Sequence, residues 1–288
     1  MFTFDARNAT LASEDEESGY EPEIREQWRT NRLVILGELA GQFGSQDLAQ
    51  KVSDFRALGS MPFSVSALHN TFLRQIRDAF TGGAYYPALV GAGALGERIL
   101  NQLIIVLRSD YQDHPATTPE IAGWKSFTNW KQCIAALAEW GVFTDELVEN
   151  YRKLNQLRNR AVHYNAGLDN TDARDAALKA ILAVQDIIAE MFQALGGPPR
   201  FIAGTSGHAF ISSDAEKQPL IRRFYLPSSV LVSPTFKMEF SRPSPDTLAV
   251  QVFDDETYHH RFLTLTDEEF AHHRTDPERF QLATPASD

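Results

Sequence analysis

Between residues 23 and 198 apolar positions recur every three or four residues, the period of a helix that buries one face. Trp28, Leu33, Leu36 and Leu39 form a first stripe, ended by Gly41 to Gly44. A short helix is expected from Gln46 to Leu58, stopped by Gly59 and Pro62. Leu68, Phe72, Ile76 and Phe80 fall at four-residue steps and predict a helix over 65–80, broken by Gly82-Gly83. Four further segments follow. Ala84–Tyr111 is apolar on most sides and therefore central. Ser126–Trp140 comes next. A third runs from Thr144, a good N-cap with Asp145 and Glu146 behind it, to about Tyr164, on the stripe Leu147, Tyr151, Leu154, Leu157/Arg158 and Ala161. The fourth, Thr171–Leu195, turns Ala177, Ile181, Val184, Ile188 and Met191 inward and is closed by Gly196-Gly197-Pro198.

After Pro199 the period shortens to two, the signature of strands. Phe201–Ala203, His208–Ser212, Leu220–Leu226, Val230–Phe240, Leu248–Phe253 and Tyr258–Leu265 are the expected strands, and a terminal helix is expected from Thr266 with Glu269 completing a capping box. The expected architecture is a mainly α helical bundle with a small C-terminal β module, α+β overall. Its parts are a mobile acidic tail over 1–22, an N-terminal helical extension over 23–83, the bundle over 84–198 and the β-rich module over 199–288.

Charge narrows the possible functions. The 288 residues carry 27 Lys+Arg against 38 Asp+Glu, a formal net charge of −11. Each of 1–60, 61–199 and 200–288 holds more acidic than basic groups. Such a chain does not coat nucleic acid by bulk charge, although one local basic cleft remains compatible with it. The single cysteine, Cys133, rules out an internal disulfide and points to a reducing compartment. Met1 to Ser18 lacks an apolar signal core, and Glu97 and Arg98 interrupt the longest apolar run, so a membrane span is disfavoured. A cytoplasmic protein is expected.

Gly91-Ala92-Gly93-Ala94-Leu95-Gly96 matches G-x-G-x-x-G, but a dinucleotide loop needs a strand on either side of its helix and an acid about 20 residues on. Helical pattern surrounds it instead. Each glycine costs a helix about 1 kcal/mol against alanine. Close approach of a neighbouring helix is the expected reason for their presence.

The densest positive cluster is Arg152, Lys153, Arg158 and Arg160, in the sequence Tyr151-Arg152-Lys153-Leu154-Asn155-Gln156-Leu157-Arg158-Asn159-Arg160-Ala161-Val162-His163-Tyr164. Asn159 and His163 are four apart and share a helix face, with Arg158 one position before. Arg158-Asn159-Arg160-Ala161-Val162-His163 resembles the Arg-polar-x(3–5)-His motif of the HEPN superfamily, α-helical bundles in which this motif sits on a late helix. The resemblance covers at most residues 84–195. It implies metal-independent cleavage of RNA by a homodimer that pairs two motifs, with no cofactor and no metal, in a toxin or defence effector. His163 would act as acid or base, Arg158 would stabilise charge and Asn159 would position the substrate. Arg152, Lys153, Arg160 and Tyr164 are the expected substrate-binding residues, and so few phosphate contacts imply a modest salt dependence. The C-terminal module would bind a protein partner. The competing expectation is a non-catalytic HEPN-like dimerisation, regulatory or ligand-binding protein. There Arg158 and His163 serve only the helix C-terminus and carboxylates such as Glu97 or Asp169.

Other constellations are weaker. His259-His260 and His272-His273 are adjacent residues, which point to opposite faces of a strand and do not chelate from one side. Ser206, Ser212 and Ser213 lack a nucleophile-elbow setting.

Overall fold

The computed structural model describes residues 5, 7–12, 21–123, 125, 129–162, 170–193, 200–201, 211–227, 238–244, 247–252, 266 and 268. The chain divides into two units, Met1–Met191 and Phe192–Asp288. The described part is mostly helical.

In the first unit the helices are α1 (Arg7–Ala12), α2 (Pro22–Phe43), α3 (Leu48–Ala57), α4 (Ala67–Thr81), α5 (Tyr85–Leu107), α6 (Pro119–Gly123), α7 (Trp130–Glu139), α8 (Asp145–Val162) and α9 (Asn170–Phe192, whose last residue opens the second unit). Their ends follow local chemistry. Pro22 opens α2 at a position where a missing N–H costs nothing. Gly44 and Gly83 take positive φ, +82° and +85°, just beyond α2 and α4. Asn129 caps α7 by accepting from Gln132 N–H.

Helix α5 is the axis of the unit and packs against α4, α7 and α8. Ala88, Leu89, Ala92, Leu95, Ile99, Leu100, Leu103, Ile104 and Leu107 on it are all buried. It is also the one helix among the described residues long and apolar enough to cross a membrane, yet half of that stretch is buried inside the unit. The expected inward set of α9, Ala177, Ile181, Val184, Ile188 and Met191, is fully buried. A second contact layer is polar. Asp54 of α3, 1% exposed, receives hydrogen bonds from Arg174 of α9, Tyr85 of α5 and Gln50. Arg77 of α4 donates to the carbonyls of Leu58 and Gly59 beyond the end of α3 and to Gln185 of α9.

Three expectations for the first unit need correction. Arg7–Ala12, inside the expected tail, is a helix: Leu11 is buried and Asn8 donates to the Phe55 carbonyl at 2.5 Å. In α4 the buried row is His69, Leu73, Ile76 and Phe80, whereas Leu68 is 47% exposed. Steps of four overshoot the 3.6-residue turn, so a run of them drifts off the buried face. In α2 only Ile35 and Leu39 are buried, and Leu33 points outward.

In the second unit, Leu220–Leu226 was expected to be a strand and is instead a wide helical turn, Ile221–Tyr225, with Leu226 N–H bonded to the Ile221 carbonyl. The buried residues Ile221, Phe224 and Tyr225 are spaced three and four apart, a helical face rather than an alternating one. A short helix α10 (Ser213–Glu216) precedes it, capped by Ser212. Arg200 donates to the Tyr225 hydroxyl at 2.6 Å, and Phe192 meets Phe224 edge to face. Strand β1 (Met238–Ser244) pairs antiparallel with β2 (Thr247–Val252), and Phe201 bridges Ile211. The expected strand Tyr258–Leu265 and both histidine pairs lie outside the described residues.

Candidate functional site

The site is set by how α8 sits on α5. Thr144 accepts from Leu147 N–H at 3.2 Å, as an N-cap should, and its own hydroxyl reaches Glu190 at 2.7 Å. Leu147, Tyr151 and Leu154 then fill the interior, with Tyr151 stacked on Phe143 at 5.0 Å and meeting Trp130 edge to face. The glycines of α5 allow this approach. A Cβ on Gly93 would stand 2.6 Å from Arg158 Cγ, and one on Gly96 would collide with Leu154 Cδ2. On the opposite side a Cβ on Gly91 would lie 3.0 Å from Ile76 of α4. The G-x-G-x-x-G pattern is therefore a helix-packing device, in agreement with the expectation from its helical surroundings.

The stem of Arg158 lies over Gly93, and its head continues along α5 to Glu97. Arg158 Nη2 donates to Glu97 Oε2 at 3.1 Å, and Nη1 donates to Asn159 Oδ1 at 3.1 Å. The same Glu97 oxygen accepts the Trp130 indole N–H at 3.0 Å. Asn159 Nδ2 donates to Asn155 Oδ1 at 3.3 Å. The Arg158 and Glu97 side chains are 29% and 30% exposed, so this polar row runs along the surface seam between α5 and α8. The Cys133 thiol is buried nearby; burial, with the Glu97 charge adding to it, pushes it up to about 12.

The other expected binding residues face elsewhere. Arg160 is about 200° around the helix from Arg158, and Lys153 about 140°. Both line a groove of about 360 Å³ between α8 and α9, together with Asn150, Gln156, Lys179 and Asp186. Burial raises the Asp186 carboxyl, the Glu146 charge adds to this, and Lys153 opposes it. Arg152 points to solvent, 61% exposed, and pairs with Glu149. His163 and Tyr164 lie outside the described residues.

The expected constellation thus splits. Arg158 and Asn159 are together on the α5 side, while Lys153 and Arg160 are together on the α9 side. Sequence reasoning named Glu97 only as one possible partner of Arg158. It did not assign Trp130, Asn155, Gln156 or Lys179 to a site. Asn155 was legible as the residue four before Asn159; Trp130 and Lys179 come from other helices and left no local signal.

No family model, curated protein or solved structure matches this chain.

Proposed function

We propose that the chain is a HEPN-like, metal-independent endoribonuclease that acts as a cytoplasmic homodimer through the C-terminal end of α8. The observation that carries this reading is the Arg158–Asn159 pair, held in a fixed pose by Gly93 and Glu97 yet with its guanidinium still partly open to solvent. In this reading His163 removes the proton of a ribose 2′-hydroxyl, and the freed oxygen attacks the adjacent phosphorus. The 5′-oxygen leaves with a proton from the His163 of a second copy, and Arg158 stabilises the crowded phosphorane. The groove with Lys153, Arg160 and Lys179 offers positive charge for flanking phosphates. Residues 199–288 would form the β-rich module, with the β1–β2 hairpin as its centre, and would restrain or sense in the manner of a toxin or defence effector.

A second reading, a non-catalytic dimerising or regulatory bundle, is favoured by the Glu97 carboxylate. A guanidinium already paired with an anion has less charge to offer a phosphorane.

The deciding experiment incubates purified protein with structured and unstructured RNA in EDTA, beside Arg158→Ala and His163→Ala. Cleavage by the parent chain that falls at least 100-fold in both variants supports the nuclease. Equal cleavage by the variants, or none by any form, counts against a nuclease site at Arg158 and His163.

A further inference from the structure

A second concave site lies in the first unit, away from the α5–α8 seam. It is a cavity of about 490 Å³ beneath α1, walled by α2, α3 and α4, and is of the size that takes metabolite-sized molecules. Two kinds of surface meet in it. Phe55, Met61 and Phe63 are apolar, while Arg74, Arg77 and Thr81 present cationic and hydroxyl groups from successive turns of α4.

The polar groups on α4 are incompletely matched. Arg77 is 7% exposed, and its hydrogen bonds go to two backbone carbonyls and the Gln185 side-chain oxygen. Among the described residues no carboxylate forms an ion pair with it, although a buried charge usually has one. Its Nε–H and one Nη2–H are left over from those bonds. Thr81 is 1% exposed, and its hydroxyl has no hydrogen-bond partner, an uncommon state for a buried polar atom. Arg74, exposed at the rim, makes no ion pair among the described residues either.

Three carboxylates also border the cavity, and each has a partner. Asp5 accepts from the Arg7 backbone N–H, Nε and Nη2, and Asp78 accepts from Gln42 at 3.2 Å. Glu38 is 54% exposed and lies 4.0 Å from Arg7. The hydrogen bonds and ion pairs of the local acids are thus directed at Arg7 and Gln42. Asp5 and Asp78 act on Arg77, and Asp78 on Arg74, through space without a direct ion pair, so the unused N–H groups of Arg77 and the Thr81 hydroxyl remain open to a ligand.

We propose that this cavity binds a small organic oxyanion, a carboxylate or a phosphate monoester, with an apolar body. The oxyanion accepts from Arg77, Arg74 and the Thr81 hydroxyl, and the apolar body rests on Phe55, Met61 and Phe63. Nothing in this site depends on the ribonuclease reading.

The test is calorimetric titration of the full chain with phenyl phosphate, phenylacetate, inorganic phosphate and benzyl alcohol. Phenyl phosphate or phenylacetate should bind saturably and at least tenfold tighter than benzyl alcohol, and which of the two binds names the oxyanion. Thr81→Val keeps the side-chain shape and Arg74→Gln lies on the surface, so both should fold; each should weaken binding about tenfold. Arg158→Ala should bind as the parent does. Failure of both aromatic anions to bind, equal binding of benzyl alcohol, or unchanged affinity in both α4 variants would overturn the proposal.

Discussion

Arg158 occupies the space that residue 93 would need for a side chain: a Cβ there would come within 2.6 Å of Arg158 Cγ and 2.9 Å of its Cβ. The clash is with the root of the arginine, not its flexible end, so it cannot be relieved by a rotamer change alone. Gly93→Ala should lower stability by about 1–2 kcal/mol, overpacking outweighing the helix-propensity gain. Gly37→Ala in α2 meets nothing within 4 Å and should instead stabilise by roughly 0.5–1 kcal/mol. Urea unfolding of the two variants beside the parent checks both signs.

His69 gives the stability a pH dependence. It is 1% exposed, lies 3.0 Å from the Ser64 hydroxyl, and burial lowers its imidazole to about 4 from the ordinary 6.5. Between those values the unfolded chain takes up a proton that the folded chain refuses. Stability from this group is therefore complete above pH 6.5 and declines as the pH falls toward 4, by at most about 3 kcal/mol. Unfolding free energies across that range should show a shallower decline in His69→Gln than in the parent.

Asp54 ties three helices through one carboxylate. Its Oδ1 accepts from Arg174 Nε and Nη2 at 2.8 and 2.6 Å and from Gln50 at 2.8 Å, and its Oδ2 accepts from the Tyr85 hydroxyl at 2.7 Å. Asp54→Ala leaves all of these donors unmatched and should cost about 3 kcal/mol, whereas Tyr85→Phe removes one bond and should cost about 1 kcal/mol. A shift in urea midpoint with an unchanged slope is the expected signature.

Cys133 should be silent toward thiol reagents in the native protein. It is fully buried and its thiol is held protonated at neutral pH, while the thiolate is the reactive form. Modification by Ellman's reagent should proceed only at the rate of unfolding, and should become immediate in high urea. Rapid reaction of the native chain would mean that the α5–α7 contact opens locally.

The sequence made the helices of the first unit legible because strong periods and end signals coincide in them. Thr144, the stripe from Leu147 to Ala161, and the inward face of α9 agree at every level. In α2 and α4 the failures share a cause: apolar residues are too numerous to define one stripe, and tertiary contacts chose among them. His69, Asn70 and Arg77 are buried on α4 because the Ser64 hydroxyl, loop carbonyls and Gln185 meet them, partners 5 to 108 residues away along the chain. At the candidate site, the Arg-Asn pair was readable from adjacency, and the need for close packing was readable from the α5 glycines. That these two features are one contact, Gly93 against Arg158, required the fold. The separation of Lys153 and Arg160 from Arg158 follows from helical rotation alone.

Trp130 gives the α5–α8 seam an optical consequence. Its indole N–H and the Arg158 guanidinium share a single oxygen of Glu97. Whatever draws Arg158 outward changes the charge felt by the ring, and with it the colour of its emission. Trp130 is one of four tryptophans, so its emission should follow Arg158 without a label once Trp28, Trp124 and Trp140 are replaced by phenylalanine.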